Sequence, residues 1–174
     1  MIQHKDRGIR FSETNSDPVC YVDASNKDDP IDGKCSYGYA IMWGGPLVVK
    51  SGKLNHVGIN STYNEYMALH HCNKQMVWVR QLLEEIGLGG ALSSPTIVYA
   101  DNRQANTIAM EDIVTAGNMY FRTTYHYNKE MVRDGYVKVE YIHTASNLAD
   151  ACTKALGSVK IGEFEPKLHG YADL

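Results

Sequence analysis

No apolar stretch in this chain of 174 residues approaches the ~20 residues that a membrane-spanning helix needs. Its first residues, MIQHKDRGIRF, are polar and lack the apolar segment of a secretory signal. The four cysteines, Cys20, Cys35, Cys72 and Cys152, are scattered and form no C-x-x-C pair. That argues against a zinc knuckle or ribbon. So sparse a set fits reduced thiols in an intracellular protein better than two disulfides. Internal repeats and low-complexity tracts are absent. Neither sign of charge dominates: 17 basic and 20 acidic residues leave a net charge of −3, which by itself points to no polyanionic partner. At 44% hydrophobic and 21% charged, the composition excludes whole-chain disorder, collagen and coiled coil. The length suits one domain with a self-supporting core.

What is present reads as alternating strands and helices. Residues 1–18 are polar and irregular, a lead-in or linker of the kind a fragment of a longer polyprotein would carry. VCYVDA, from Val19 to Ala24, has the look of a buried strand. A loop over Ser25 to Lys34 follows, then strands at Ser36 to Trp43 and Pro46 to Leu54 joined through Gly44-Gly45. Asn60, Ser61 and Thr62 offer helix caps. Behind them Tyr66, Leu69, Cys72, Met76, Val79, Leu83 and Ile86 recur at steps of three or four, which predicts a long helix stopped by Gly87. Next come a strand over Thr96 to Asp101, a short helix from Asn102 to Met110, a loop over Glu111 to Gly117 and a helix from Asn118 to Arg133. A strand over Tyr136 to Ile142 and a helix from Ser146 to Leu156 complete the pattern. Five strands among helices define a mixed α/β protein with a central sheet.

Two of these strands end on aspartate, Asp23 and Asp101. Ligands gather at strand ends in open α/β sheets, although aspartate there is also ordinary turn and cap chemistry. Glu65 near the start of the long helix and Asp150 near the start of the last one have a parallel bland explanation, a carboxylate favoured by the helix dipole.

The residues around these carboxylates carry a resemblance. Y-V-D-A-S, S-T-Y-N-E-Y-M-A-L, V-Y-A-D-N-R-Q-A and N-L-A-D-A-C-T-K-A-L occur in this order between Val19 and Leu156. This resembles the ribonuclease H domain of copia-type, retrovirus-related Pol polyproteins, with its S-S-T-E-A-E-Y-x-A-L, C-D-N-x-x-A and L-A-D-x-x-T-K-x-L signatures. W-V-R-Q-L-L-E-E-I-G-L and Y-H-Y-N-K-E-M-V-R-D-G resemble further stretches of that family. The resemblance implies a ribonuclease H-like fold, a mixed five-stranded β-sheet flanked by α-helices. It implies a lead-in over 1–18, the domain over 19–156 and a C-terminal tail over 157–174, partly helical and without assigned chemistry.

It also implies a metal-dependent endonuclease that cuts the RNA strand of RNA–DNA hybrids during reverse transcription. Two Mg2+ ions, replaceable by Mn2+, would be held by Asp23, Glu65, Asp101 and Asp150. Asp23 would be shared, Glu65 and Asp101 would complete one position and Asp150 the other. Two-metal chemistry needs hard oxygen ligands of this kind. Four clustered carboxylates would repel without metal, so Mg2+ should raise stability. Two bound ions would also reverse the sign of the formal net charge. His143, seven residues before Asp150, matches the mobile histidine of some ribonucleases H, or is an exposed loop histidine. Asn102 and Gln104 could reach substrate 2′-hydroxyls, with helix capping the equal alternative for Asn102. Arg122, Lys129 and Arg133 share one face of a helix, either a backbone-binding patch or a solvated face.

The chain departs from the family where K-H-I-D would stand, which here reads Met119 to Arg122, and it lacks the first Glu of S-S-T-E-A-E-Y. No polymerase Y-x-D-D is present. Partners implied are an RNA–DNA hybrid and the reverse transcriptase domain of the same polyprotein, with no membrane. The implied location is a cytoplasmic virus-like particle or the nucleus. The competing expectation is a degenerate domain that binds nucleic acid or tethers partners without cutting. A strand-transferase on the same fold fits less well, because integrases usually place the Glu last.

Overall fold

The computed structural model describes residues 8–14, 16–25, 33–58, 60–92, 95–111, 122–172 and 174. The expected loop over 112–117 and the first four residues of the helix expected from Asn118 lie outside these, as do residues 1–7 of the lead-in and most of the loop after Ser25.

Five strands form one sheet: β1 (Val19–Ala24), β2 (Lys34–Met42), β3 (Pro46–Val57), β4 (Thr96–Ala100) and β5 (Val137–Tyr141), in the order β3-β2-β1-β4-β5. β1, β2 and β3 pair antiparallel, and β1, β4 and β5 pair parallel. Among the described residues the helices are α1 (Ser61–Glu85), α2 (Arg103–Met110), α3 (Arg122–Arg133), α4 (Asp150–Thr153) and α5 (Ser158–Leu168). The mixed sheet and the order of elements are those the sequence predicts.

Side chains alternate across the sheet, so successive residues of β1 serve two cores. Cys20 and Val22 face a larger cluster with Tyr66, Leu69, Cys72 and Met76 of α1, Ala105 of α2 and Tyr125 of α3. Tyr21, Ala40 and Met42 face a smaller one with Leu148, Ala149 and Phe164 of α5. The α1 stripe is buried through Leu83, while Ile86, its last expected member, sits at the helix end and is exposed. Asn60 caps α1 by accepting from the Tyr63 N–H at 2.8 Å. Gly87 ends it with φ of 84°, the left-handed conformation that favours glycine. All four cysteines are free thiols.

The helix expected over Ser146 to Leu156 is broken. Thr144–Ser146 form a 3-10 turn, and α4 keeps only four residues. Asn147 is the cause. Buried at the junction, it accepts from the Ala149 N–H at 3.1 Å and donates to the Val22 carbonyl of β1 at 2.9 Å. Such local side-chain bonding competes with continuous helix. The C-terminal residues are helical as α5, which packs Phe164 into the smaller core. The described part of the lead-in is tied to the body by backbone, Arg10 N–H to the His169 carbonyl at 2.9 Å and Ser12 N–H to the Gly44 carbonyl at 2.6 Å.

Candidate metal and active site

The β1–β4 register pairs Val22 with Ala100, so Asp23 and Asp101 stand next to one another at the C-terminal ends of two parallel strands. Each strand end is fixed by an asparagine. Asn147 donates to the carbonyl before Asp23, and Asn106 of α2 donates to the carbonyl before Asp101 at 3.1 Å. Both asparagines are buried, where one hydrogen bond is worth most. Glu65 comes from the opposite side. It is the fifth residue of α1, 8% exposed, and its Oε2 accepts from the Ala24 N–H at 3.1 Å. It lies too far along the helix, and too deep, for a dipole-favoured residue of the first turn.

Asp23, Glu65 and Asp101 each present one carboxylate oxygen within 4.8 Å of the others. The cost of this crowding falls on Glu65 and Asp23. Burial, then the charges of Asp23 and Asp101, push Glu65 up to about 9. Burial also raises Asp23; the Thr153 hydroxyl and Lys154 act against it, while Asp150 and Asp101 add to it. An oxygen-only, anionic donor set that repels itself fits a hard divalent cation, Mg2+ or Mn2+, better than zinc or copper.

Asp150 stands outside that trio and carries two ammonium groups, one of which links it to Asp23. Lys154 Nζ lies 2.7 Å from Asp150 Oδ1 and 3.2 Å from the Asp23 carboxylate, bridging the two. Lys160 of α5 pairs with Asp150 Oδ2, and it also donates to the Thr144 carbonyl at 3.2 Å. Thr153 donates its hydroxyl to Asp23 Oδ2. Thr144 donates to Asp101 Oδ2 at 2.7 Å. Burial alone would lower Lys154, but its hydrogen bond to Asp150 and the charges of Asp23 and Asp150 outweigh that and raise it.

The structure therefore brings Asp23, Glu65, Asp101 and Asp150 to one end of the sheet. The other expected residues are placed differently. His143 is exposed, and its Nδ1 accepts from the Ala145 N–H at 3.1 Å as a cap. Asn102 caps α2 through the Ala105 N–H at 3.0 Å. Gln104 accepts from the Thr62 hydroxyl at 2.9 Å, linking α2 to α1. Lys129 donates to the Glu111 carbonyl, and Arg133 pairs with Asp134 at 2.8 Å; both line a cleft between α2 and α3. The side chain of Arg122 lies outside the described residues.

Besides Asn147 and Asn106, sequence reasoning missed four residues that touch the carboxylates. Thr153 and Lys154 stand inside the quoted L-A-D-A-C-T-K-A-L stretch, and Lys154 is four residues after Asp150, a helical neighbour by spacing. Thr144 and Lys160 left no comparable signal, because a turn and a separate helix bring them in.

The five-stranded mixed sheet with carboxylates at its parallel strand ends is a ribonuclease H-like fold. The N-terminal RNase H domain of rv2228c from Mycobacterium tuberculosis, solved as a fusion with maltose-binding protein, superposes with a TM-score of 0.56 at 13% identity, over 79% of this chain and 91% of that one. LC11-RNase H1, isolated from compost by a metagenomic approach, gives 0.59 at 15% identity over 79% and 93%. The same enzyme in complex with RNA/DNA hybrid gives 0.57 at 12% identity over 78% and 93%. In sequence the chain is 32% identical over 144 residues, 81% of its length, to the retrovirus-related Pol polyprotein from transposon TNT 1-94 of Nicotiana tabacum. It is 28% identical over 165 residues, 94% of its length, to that from transposon RE2 of Arabidopsis thaliana. No protein-family model matches the chain. The chain belongs to the copia-type, retrovirus-related Pol polyproteins of transposons, as their ribonuclease H-like part. It spans 11% of the length of each of these two relatives.

Proposed function

We propose that this chain is a metal-dependent endonuclease that cleaves the RNA strand of RNA–DNA hybrids. The observation that carries the reading is the convergence of Asp23, Glu65 and Asp101 oxygens within 4.8 Å. Burial makes that arrangement unfavourable unless a cation enters it.

Asp23, Glu65 and Asp101 would hold one divalent ion, and Asp23 with Asp150 a second. Such ions supply activation of the attacking water and charge stabilisation at the leaving 3′ oxygen. The chain's own residues supply rigidity. Asn147 and Asn106 fix the backbone before the two strand aspartates, and Ala24 N–H and Thr144 orient the Glu65 and Asp101 carboxylates. Preorganised ligands of this kind cost no rearrangement when the reaction occurs. Arg103 is exposed at the same end of the sheet, its guanidinium stacked 3.6 Å from the Tyr141 ring centroid, and can meet a phosphate of the bound duplex.

In the cell the substrate would be the hybrid made by the reverse transcriptase domain of the same polyprotein. The test offers the purified chain an RNA–DNA hybrid, double-stranded RNA and DNA duplex, with Mg2+ or Mn2+. Cleavage confined to the hybrid is expected. Binding of the hybrid without cleavage under both ions would favour a non-catalytic tethering module.

A further inference from the structure

Lys154 is more than a salt-bridge partner of one carboxylate. Its ammonium sits between Asp23 and Asp150, within 3.2 Å of one and 2.7 Å of the other. Those two side chains are 1% and 2% exposed. Two anions so buried and so near each other require a cation between them. We propose that Lys154 is a built-in cation of this centre: it holds Asp23 and Asp150 together in the metal-free protein and must withdraw before a divalent ion occupies the position between them. This rests on the metal-dependent reading given above.

Three features support it. First, the lysine is able to leave. Lys154 is the residue that ends α4, its backbone is extended with φ of −131° and ψ of 147°, and its side chain is 39% exposed. Rotation about its side-chain bonds can carry the ammonium into solvent without unpacking a core residue. Second, the other lysine occupies a different position. Lys160 approaches the far oxygen of Asp150, is bound to the Thr144 carbonyl and lies 5.0 Å from the Phe164 ring centroid. It anchors Asp150 to α5 rather than to Asp23. Third, the charges are unequal across the centre. Glu65 and Asp101 are held by an N–H and a hydroxyl, both neutral donors, whereas Asp150 has two ammonium groups. With both ammoniums on Asp150, the Asp23–Glu65–Asp101 side has the smaller share of positive charge.

The centre therefore loads in two unequal steps. The Asp23–Glu65–Asp101 group takes the first ion, with Lys154 on only one of its three carboxylates. The second ion competes with Lys154 and binds more weakly.

The test is Mn2+ binding followed by electron paramagnetic resonance of the free ion, with thermal melting in EDTA, for the wild type, Lys154→Met, Lys154→Arg and Lys160→Met. The wild type should bind one Mn2+ and then a second about tenfold or more weakly. Lys154→Met should melt several degrees lower in EDTA, and its two affinities should draw together. Lys154→Arg should keep the wild-type melting point and the wild-type gap. Lys160→Met should melt lower and narrow the gap less than Lys154→Met does, because it touches only Asp150. A Lys154→Met protein with the wild-type melting point in EDTA and the wild-type isotherm overturns the proposal. If Lys154→Met does not fold in EDTA, refolding on addition of Mn2+ supports it and failure to refold overturns it. A wild type that takes up no Mn2+ would sink the metal-dependent reading itself. The EDTA melting comparison would then still decide whether Lys154 clamps the two aspartates.

Discussion

Gly38 stands directly opposite Asp23 in the antiparallel pairing of β1 and β2. The space its missing side chain leaves is taken by Cys152 of α4, whose Cβ would overlap a Cβ at position 38. This close approach is what lets α4 deliver Thr153 and Lys154 to Asp23. Gly38→Ala should therefore push α4 off the sheet. The expected loss is about 1–3 kcal/mol, in the range of overpacked cores. Melting curves with and without Mg2+ check it: the variant should melt lower and also gain less from Mg2+ than the wild type.

Mg2+ itself should stabilise the wild type. An ion that binds only the folded state at one hundred times its Kd contributes about 2.7 kcal/mol. Glu65→Gln separates ligand from scaffold. The amide oxygen can still accept from Ala24 N–H, and the repulsion with Asp23 and Asp101 is gone. The variant should keep or raise its melting point in EDTA and lose most of the Mg2+-dependent increase.

Thr144 orients Asp101 through one hydroxyl and is exposed. Thr144→Val should leave stability within about 0.5 kcal/mol, as exposed substitutions do. Its kcat for hybrid cleavage should fall roughly tenfold, equivalent to ~1.4 kcal/mol of barrier. Thr144→Ser should restore the rate, because the hydroxyl rather than the methyl makes the contact.

His70 gives a pH signature remote from the carboxylates. Half-buried on α1, with Tyr127 of α3 against its ring and His71 and Lys74 beside it, it is lowered to about 4, mainly by burial and then by those two charges. The folded state thus disfavours its protonation. Its contribution to stability is complete above the unfolded value of 6.5 and is lost as pH falls toward 4. Melting from pH 7 down to pH 4 should show a decline for the wild type that is shallower in His70→Gln. Parallel slopes would contradict this.

The fold was legible because its signals are local and repeated. The α1 stripe keeps its period over six buried positions from Tyr66 to Leu83, and the two aspartates mark strand ends by following apolar runs. The four carboxylates were legible through their motifs, each read against a bland cap or turn explanation. The supporting groups were not. Asn147 and Asn106 act through carbonyls 125 and 6 residues away, and Lys160 depends on where α5 packs. Asn147 also cut short the last expected helix, since periodicity does not register a side chain bonding to a distant strand. Asn102, beside Asp101 in sequence, and His143, seven residues before Asp150, both cap local backbone, in keeping with the plainer of the two readings open for each.

The central claim is tested most directly by one assay. An RNA–DNA hybrid labelled separately on each strand is incubated with Mg2+ and either the wild type or Asp23→Asn. The account predicts that the wild type cuts only the RNA strand, leaving 3′-hydroxyl ends, and that Asp23→Asn binds the hybrid but does not cut. Cleavage of the DNA strand, or cleavage that persists in folded Asp23→Asn, would contradict it.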